Sequence, residues 1–265
     1  MSETRRVTDL NRLAWDASAP LHGTGAAWET LCDTIQSGGS TLDETLTGAL
    51  VAAGIKGARI VQVGCNNGRE VFSTLALGAK EGWGIDQSKG FLDQAAHLNT
   101  LSPHHAHFLR ADIYALPADA PKDFDIALIT IGVLNWMPDL PRFFEVIAGL
   151  LRQGGQLIIY ETHPMLEMFD PAADAPLAPA FSYFQTDAHI ETQSITYDGT
   201  STEGGPEAHW FPHTLSKVVQ SALDAGLTLK NLHEYPHSIR EVDYDVYVDQ
   251  PAQIPMSFLL RASKN

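Results

Sequence analysis

Arg59–Ser88, RIVQVGCNNGREVFSTLALGAKEGWGIDQS, is the stretch that decides the fold. Ile60, Val61 and Val63 make a short apolar run interrupted only by Gln62, the pattern of a strand buried in a parallel sheet. The run stops at Gly64-Cys-Asn-Asn-Gly68, which reads as a tight turn. A helix should follow, with Val71, Phe72 and Leu75 on one face. A second strand, Gly82-Trp-Gly-Ile85, then ends at Asp86, 22 positions after Gly64. Strand, glycine turn, helix, strand and terminal acid together describe half of a nucleotide-binding α/β sheet. Gly64 and Gly68 remove Cβ atoms where a ligand would approach the backbone, and Asn66 is a residue type that tolerates positive φ. A glycine turn with a helix-capping Asp would look the same in isolation. The rest of the chain separates the two readings.

Upstream, residues 1–57 carry an amphipathic arm, Asn11–His22, with Leu13, Trp15 and Leu21 as its apolar members. Two helices follow it, over Ala26–Ile35 and Leu42–Ala53. Downstream, a helix over Phe91–Asn99 leads to a third strand, Phe108–Ala111, closed by Asp112 and Ile113. His104, His105 and His107 lack carboxylate or cysteine partners at metal-ligand spacing, so no metal site is expected there. Phe124–Ile131 is the fourth strand and opens into Gly132-Val-Leu-Asn-Trp-Met-Pro-Asp139. A helix with Phe143, Phe144, Ile147, Leu150 and Leu151 on its apolar stripe ends at Gly154-Gly155, and Gln156–Glu161 is the fifth strand. This alternation implies right-handed crossovers and a parallel sheet.

The pattern then changes. Residues 164–213 are rich in Pro, Asp and aromatics and read as an insertion over the C-terminal edge of the sheet, with a hairpin signal at Asp198-Gly199. Thr214 caps a late helix marked by Leu215, Val218, Val219, Ala222 and Leu223, with Gly226 beyond its end. Leu227–Tyr235 and Ile254–Ala262 supply the last strands, the final one antiparallel.

Composition bounds the partners. A formal net charge of −15 over 265 residues, with scattered Lys and Arg, repels phosphate backbones, so nucleic acid is not expected as a partner. No apolar run approaches the ~20 residues of a membrane span, and the charged start MSETRR has no apolar leader core. The two cysteines, Cys32 and Cys65, form neither a zinc nor a disulfide pattern. A cytoplasmic protein acting as monomer or homodimer, without a membrane partner, is the expectation.

With these motifs assembled, the chain resembles class I S-adenosylmethionine-dependent methyltransferases from about Ala58 to Ala262. VQVGCNNG is similar to their first motif, GIDQS to their second and RADI to their third. FDIALITIGVLNWMPDL resembles the fourth strand and its loop, and LRQGGQLIIYE the fifth strand with its preceding turn. NRLAWDASAPLH, YETHP and HWFPHTL resemble a bacterial subgroup with a helical N-terminal arm. The resemblance implies a Rossmann-like seven-stranded sheet, mostly parallel with an antiparallel last strand and helices on both faces. It also implies one domain over 1–265, divided into an arm or lid (1–57), a cofactor-binding core (58–163), a substrate-side insertion (164–213) and a C-terminal helix with strands (214–265).

S-adenosyl-L-methionine is the implied cofactor. Gly64, Cys65, Asn66 and Gly68 would line its methionine part; Asp86 would bind the ribose and Gln87 flank the adenine. Asp112 and Ile113 would hold the adenine edge, with Ile131 and Gly132 contacting the cofactor from the fourth strand. Gln62, where many members carry an acid, and Asn66, in place of a common glycine, depart from the pattern. A sulfonium methyl is already a strong electrophile, so the protein mainly positions a nucleophile. His163, just past the fifth strand, is the expected base, with Glu161 as second candidate; Trp136, Tyr183, His209, Trp210 and His213 are expected acceptor contacts. The expected reaction is O- or N-methylation of a small-molecule acceptor. Two alternatives stay open: a catalytically inactive cofactor-binding partner or sensor, and a nicotinamide-dependent oxidoreductase.

Overall fold

The structure is a computed structural model that describes residues 2–196, 200 and 204–265. Its centre is a seven-stranded sheet of β1 (Arg59–Val63), β2 (Glu81–Asp86), β3 (His107–Arg110), β4 (Phe124–Thr130), β5 (Leu151–Thr162), β8 (Leu227–Tyr235) and β9 (Ser257–Lys264). They lie in the order β3-β2-β1-β4-β5-β9-β8. The pairs β1·β2, β2·β3, β1·β4 and β4·β5 are parallel, and β9 runs antiparallel to both β5 and β8. The strand order reverses between β1 and β4, and the ligand crevice of such sheets opens at that switch point, beyond the C-terminal strand ends.

Seven helices surround the sheet among the described residues: α1 (Glu3–His22), α2 (Gly25–Gln36), α3 (Glu44–Ala52), α4 (Arg69–Ala76), α5 (Lys89–Leu101), α6 (Leu140–Leu150) and α7 (Leu215–Asp224). Strand alternation divides the core between the faces. Val61, Val63, Ile129 and Ile159 pack with α6 and α7, while Ile60, Ile126, Leu128 and Ile158 pack with α3. None of the described helices is long and apolar enough to cross a membrane. A two-stranded ribbon, β6 (His189–Glu191) with β7 (Ala208–Trp210), stands above the C-terminal edge of the sheet. The hairpin signal at Asp198-Gly199 lies outside the described residues.

Three expectations shift. The arm is a 20-residue helix, and its buried face is small and polar, with Val7, Thr8, Asn11, Ala14 and Ser18 at near-heptad spacing; Leu13 and Leu21 are exposed. The fifth strand begins at Leu151, so Gly154 and Gly155 lie inside it; Gly154 has φ 73°, close to a register shift against β4. The last strand starts at Ser257, after Pro255, which has no N–H to give to a ladder.

Close packing of the first crossover leaves no room for a side chain at Gly84. A Cβ there would lie 2.6 Å from Cys65 Sγ and 2.8 Å from the Phe108 ring. Gly84→Ala should therefore destabilise the chain by about 1–3 kcal/mol, the usual range for overpacking. Urea unfolding checks this; an unchanged midpoint would mean that β2 does not pack against the glycine turn this tightly.

Candidate active site

The turn after β1 is held by the strand that follows. Asp86, at the end of β2, accepts hydrogen bonds from the backbone N–H of Asn66 (2.8 Å) and of Ser88 (2.8 Å). Gly64 has φ 66°, and a Cβ on it would stand 2.6 Å from Val133. Asn66 takes φ 53°, which Asn tolerates, and its side chain accepts the N–H of Asn67 at 2.8 Å. Burial pushes the Asp86 carboxyl up to about 6 against the pull of these N–H donors.

The turn, Asp86, Gln87, Asp112, Ile113, Ile131 and Trp136 border a slot of about 90 Å³. Helix α1 roofs it. Thr8 donates to Asp112 at 2.7 Å, Arg5 lies 3.4 Å from the same carboxylate, and Asp16 accepts from the Ser88 hydroxyl at 2.7 Å. Among the described residues lining the slot none is Lys, Arg or His, whereas two are Asp. Such a lining suits a cofactor of net positive charge, whose ammonium and sulfonium outweigh its one carboxylate and whose adenosine is uncharged. A dinucleotide pyrophosphate would find no cationic side chain there. The residues present fit S-adenosylmethionine.

The loop after β4 shapes the far end of the slot. Ile131 and Gly132 both have positive φ, 35° and 79°, unusual for a β-branched residue. Glu161, at the end of β5, accepts from the N–H of Gly132 and, at 3.2 Å, from that of Leu134. It is buried, and burial pushes its carboxyl up to about 7 in spite of those donors. Glu161 thus braces the loop from below and does not line the cavity.

Through Ile131, Trp15 and Trp136 the slot meets a larger cavity of about 580 Å³, walled by the insertion and by the segment after β8. Trp136 sits edge-to-face with Trp15 (5.3 Å between ring centroids) and with Trp210 (5.0 Å). Trp210 Nε1 donates to Glu167 at 2.6 Å. Burial pushes Glu167 up to about 7, and burial with the nearby Glu161 charge pushes Glu241 up to about 8.

Several expected site residues lie elsewhere. His163 is buried with both ring nitrogens engaged: Nδ1 accepts the Met165 N–H (3.0 Å) and Nε2 faces Glu234 (2.8 Å). It packs edge-on against Phe258, away from the cavity, so this geometry offers it no acceptor. Cys65 is fully buried under β2, and a Cβ on Gly68 would meet Phe108, so both support the turn from behind. Tyr183 accepts the first free N–H of α7, from Leu215, at 3.0 Å. Alternation in β7 sends Trp210 to the cavity and turns His209 away from it; the His209 backbone pairs with Asn11 through bonds of 2.7 and 3.0 Å. His213 is buried with Nε2 at 2.9 Å from the Met137 carbonyl. Trp136 and Trp210 do line the cavity, together with Glu167, Phe181, Glu241 and Tyr244, which the sequence reading did not single out. Trp15 had been noted only as an apolar member of the arm. No local motif marks these residues, because they converge from four separate segments.

Residues 61–157 match a family model described as a methyltransferase domain. A tRNA U34 carboxymethyltransferase of Idiomarina loihiensis is 32% identical over 109 residues, covering 40% of this chain and 33% of that protein. Its counterpart from Shewanella putrefaciens is 33% identical over 107 residues, 40% of this chain and 31% of that protein. The chain thus spans about a third of the length of the curated relatives it matches. Among solved structures, magnesium protoporphyrin IX methyltransferase from Synechocystis PCC 6803 with bound S-adenosylhomocysteine aligns over 100% of both chains, with TM-score 0.58 and 15% identity. An S-adenosylmethionine-dependent methyltransferase from Mesorhizobium loti aligns over 82% of this chain and 96% of that one, with TM-score 0.55 and 19% identity. At such identities these likenesses concern the fold.

The chain has the fold of S-adenosylmethionine-dependent methyltransferases, and residues 61–157 are similar to a methyltransferase domain. The magnesium protoporphyrin IX methyltransferase of the same fold has been solved with S-adenosylmethionine as well as with S-adenosylhomocysteine. The expected partner list is corrected by the curated relatives. A small-molecule acceptor and the exclusion of nucleic acid do not agree with relatives that are tRNA U34 carboxymethyltransferases by name. Net charge describes the whole chain, whereas contacts to an acceptor are made by local groups, so it does not exclude such a partner.

His213 supplies a pH test of the site's architecture. Burial pushes its imidazole down to about 4, below the unfolded value near 6.5. The neutral ring therefore stabilises the fold fully above pH 6.5, and that contribution is lost as pH falls toward 4. Over this window wild type should lose about 3 kcal/mol more stability than His213→Gln, measured by denaturant unfolding at each pH. Parallel curves would show that His213 reaches solvent.

Proposed function

We propose that the chain binds S-adenosylmethionine in the slot and transfers its methyl group to a nucleophile held in the adjoining cavity. The single observation that carries this reading is the meeting of the two spaces at Ile131 and Trp136: one is lined by two Asp and, among the described residues, by no Lys, Arg or His, and the other is large enough for an acceptor. Asp86 and Gln87 would hold the ribose and the near side of the adenine, and Asp112 with Ile113 its edge. Gly64 and Asn66 would take the methionine part, and the loop at Ile131–Gly132 would face the sulfonium. When bound, the group supplies an electrophilic methyl. The chain's own residues orient, enclose and exclude water. Residues 1–57 act as an arm whose first helix, α1, closes over the slot, and residues 164–213 wall the acceptor side.

Carboxymethyl transfer, named for the curated relatives, calls for a cation to meet the extra carboxylate. The cavity presents Glu167, Glu191 and Glu241 instead, and among the described lining residues no Lys or Arg. Methyl is the group this lining favours. A tRNA acceptor comes to this chain from the relatives' names and belongs in the assay.

Calorimetric titration with S-adenosylhomocysteine and with NADH tests the cofactor, and labelled S-adenosylmethionine with bulk tRNA and with cell extract tests transfer. S-adenosylhomocysteine should bind and NADH should not. Asp86→Ala should weaken that binding about ten- to a hundredfold, as expected for lost hydrogen bonds to a charged group. Binding of NADH alone would overturn the reading. Binding of S-adenosylhomocysteine without transfer to any fraction would identify a cofactor-binding partner or sensor.

A further inference from the structure

We infer that the large cavity recognises an organic cation: the acceptor presents a protonated amine or a fixed-charge ammonium group to it. This deepens the proposed function and rests on it for the word acceptor, but not for the chemistry of the cavity itself.

Two features of the walls converge on that chemistry. The first is aromatic. Trp15, Trp136 and Trp210 form a continuous edge-to-face run, with centroids 5.3 and 5.0 Å apart, and Phe181 and Tyr244 line the same space. Trp210 lies against the loop after β4, since a Cβ placed on Gly132 would stand 3.5 Å from its ring. Indole faces attract cations through their quadrupole, most strongly where water is excluded. The second feature is ionic. Glu167 fixes the Trp210 ring through a 2.6 Å bond to Nε1, and Glu241 accepts from the Thr162 hydroxyl at 3.2 Å. Neither carboxyl forms an ion pair with Lys or Arg among the described residues.

The cation adjacent to Glu241 in sequence is directed elsewhere. Arg240, adjacent to Glu241, has φ 59° and places its guanidinium 2.6 Å from Glu70, behind the glycine turn. The left-handed turn at Arg240 therefore sends the positive side chain to one site and leaves the carboxyl of the next residue facing the cavity. Burial beside three indoles, with no Lys or Arg among the described lining residues, drives both carboxyls toward the neutral acid, and a cationic ligand would restore their charge. An anionic ligand such as a phosphate would find no Lys or Arg among the described residues of the same walls.

The group can belong to a free molecule or be carried on a modified base of a tRNA; its chemistry in the cavity is the same. The probe is choline, compared by calorimetry with its uncharged isostere 3,3-dimethyl-1-butanol, on the full chain saturated with S-adenosylhomocysteine. Choline should bind at least tenfold more tightly than the isostere. Glu241→Gln should cut choline affinity about tenfold and leave S-adenosylhomocysteine binding unchanged. Trp210→Leu should also weaken choline, which covers the case of a Glu241 variant that fails to fold. Equal binding of the two probes, or no loss in either variant, would overturn the inference while S-adenosylhomocysteine binding keeps the cofactor reading intact. Loss of S-adenosylhomocysteine binding by wild type would instead sink the proposed function. The choline comparison can then still be made on the chain alone. Labelled methyl transfer to 1,4-diaminobutane or to bulk tRNA, inhibited competitively by choline, identifies which source carries the cation.

Discussion

The pair of backbone hydrogen bonds from Gly132 and Leu134 to the buried carboxyl of Glu161 governs the site. Ile131 and Gly132 both sit at positive φ, a conformation that costs a β-branched residue on the order of 1–3 kcal/mol. It persists because β5 brings one carboxyl under the N–H groups on both sides of Val133. The loop so held places Val133 against Gly64, Trp136 between two other indoles, and Ile131 at the junction of slot and cavity. Were the loop to relax, these positions would all change together.

A second constraint ties the roof to this floor. Asn11, buried in the middle of α1, bonds the backbone N–H and carbonyl of His209 as a neighbouring strand would, and its amide reaches the Trp136 carbonyl at 3.4 Å. One side chain therefore links the helix over the slot, the loop after β4 and the strand that carries Trp210. The slot and the cavity share this contact, so movement of α1 must disturb both.

The sheet was legible because its signals are local: the apolar runs of β1, β4 and β5, the glycine turn, and Asp86 at a strand end each lie within one short window. Residues of the slot were readable for the same reason, and Gly64, Asn66, Asp86, Asp112 and Ile131 all border it. The larger cavity was not. A histidine just beyond a strand looks available in sequence, yet His163 is consumed by Met165 and Glu234, the latter 71 residues away. Alternation in a three-residue strand decides that Trp210 and not His209 faces the cavity, and nothing in the local sequence fixes that phase. The arm was legible as a helix, but its buried face was misassigned: Leu13 and Leu21 are exposed, whereas Thr8, Asn11 and Ser18 are buried because they make specific polar contacts.

The most direct measurement is amide hydrogen exchange at Gly132 and Leu134, read with S-adenosylhomocysteine affinity, in wild type and Glu161→Gln. A glutamine side chain offers a single acceptor oxygen, so it can hold at most one of the two N–H groups well. At least one of these amides should lose protection, and affinity should fall about tenfold or more, while the amides of β1 and β4 keep theirs. Unchanged protection together with unchanged affinity would contradict the claim that Glu161 sets the shape of the site.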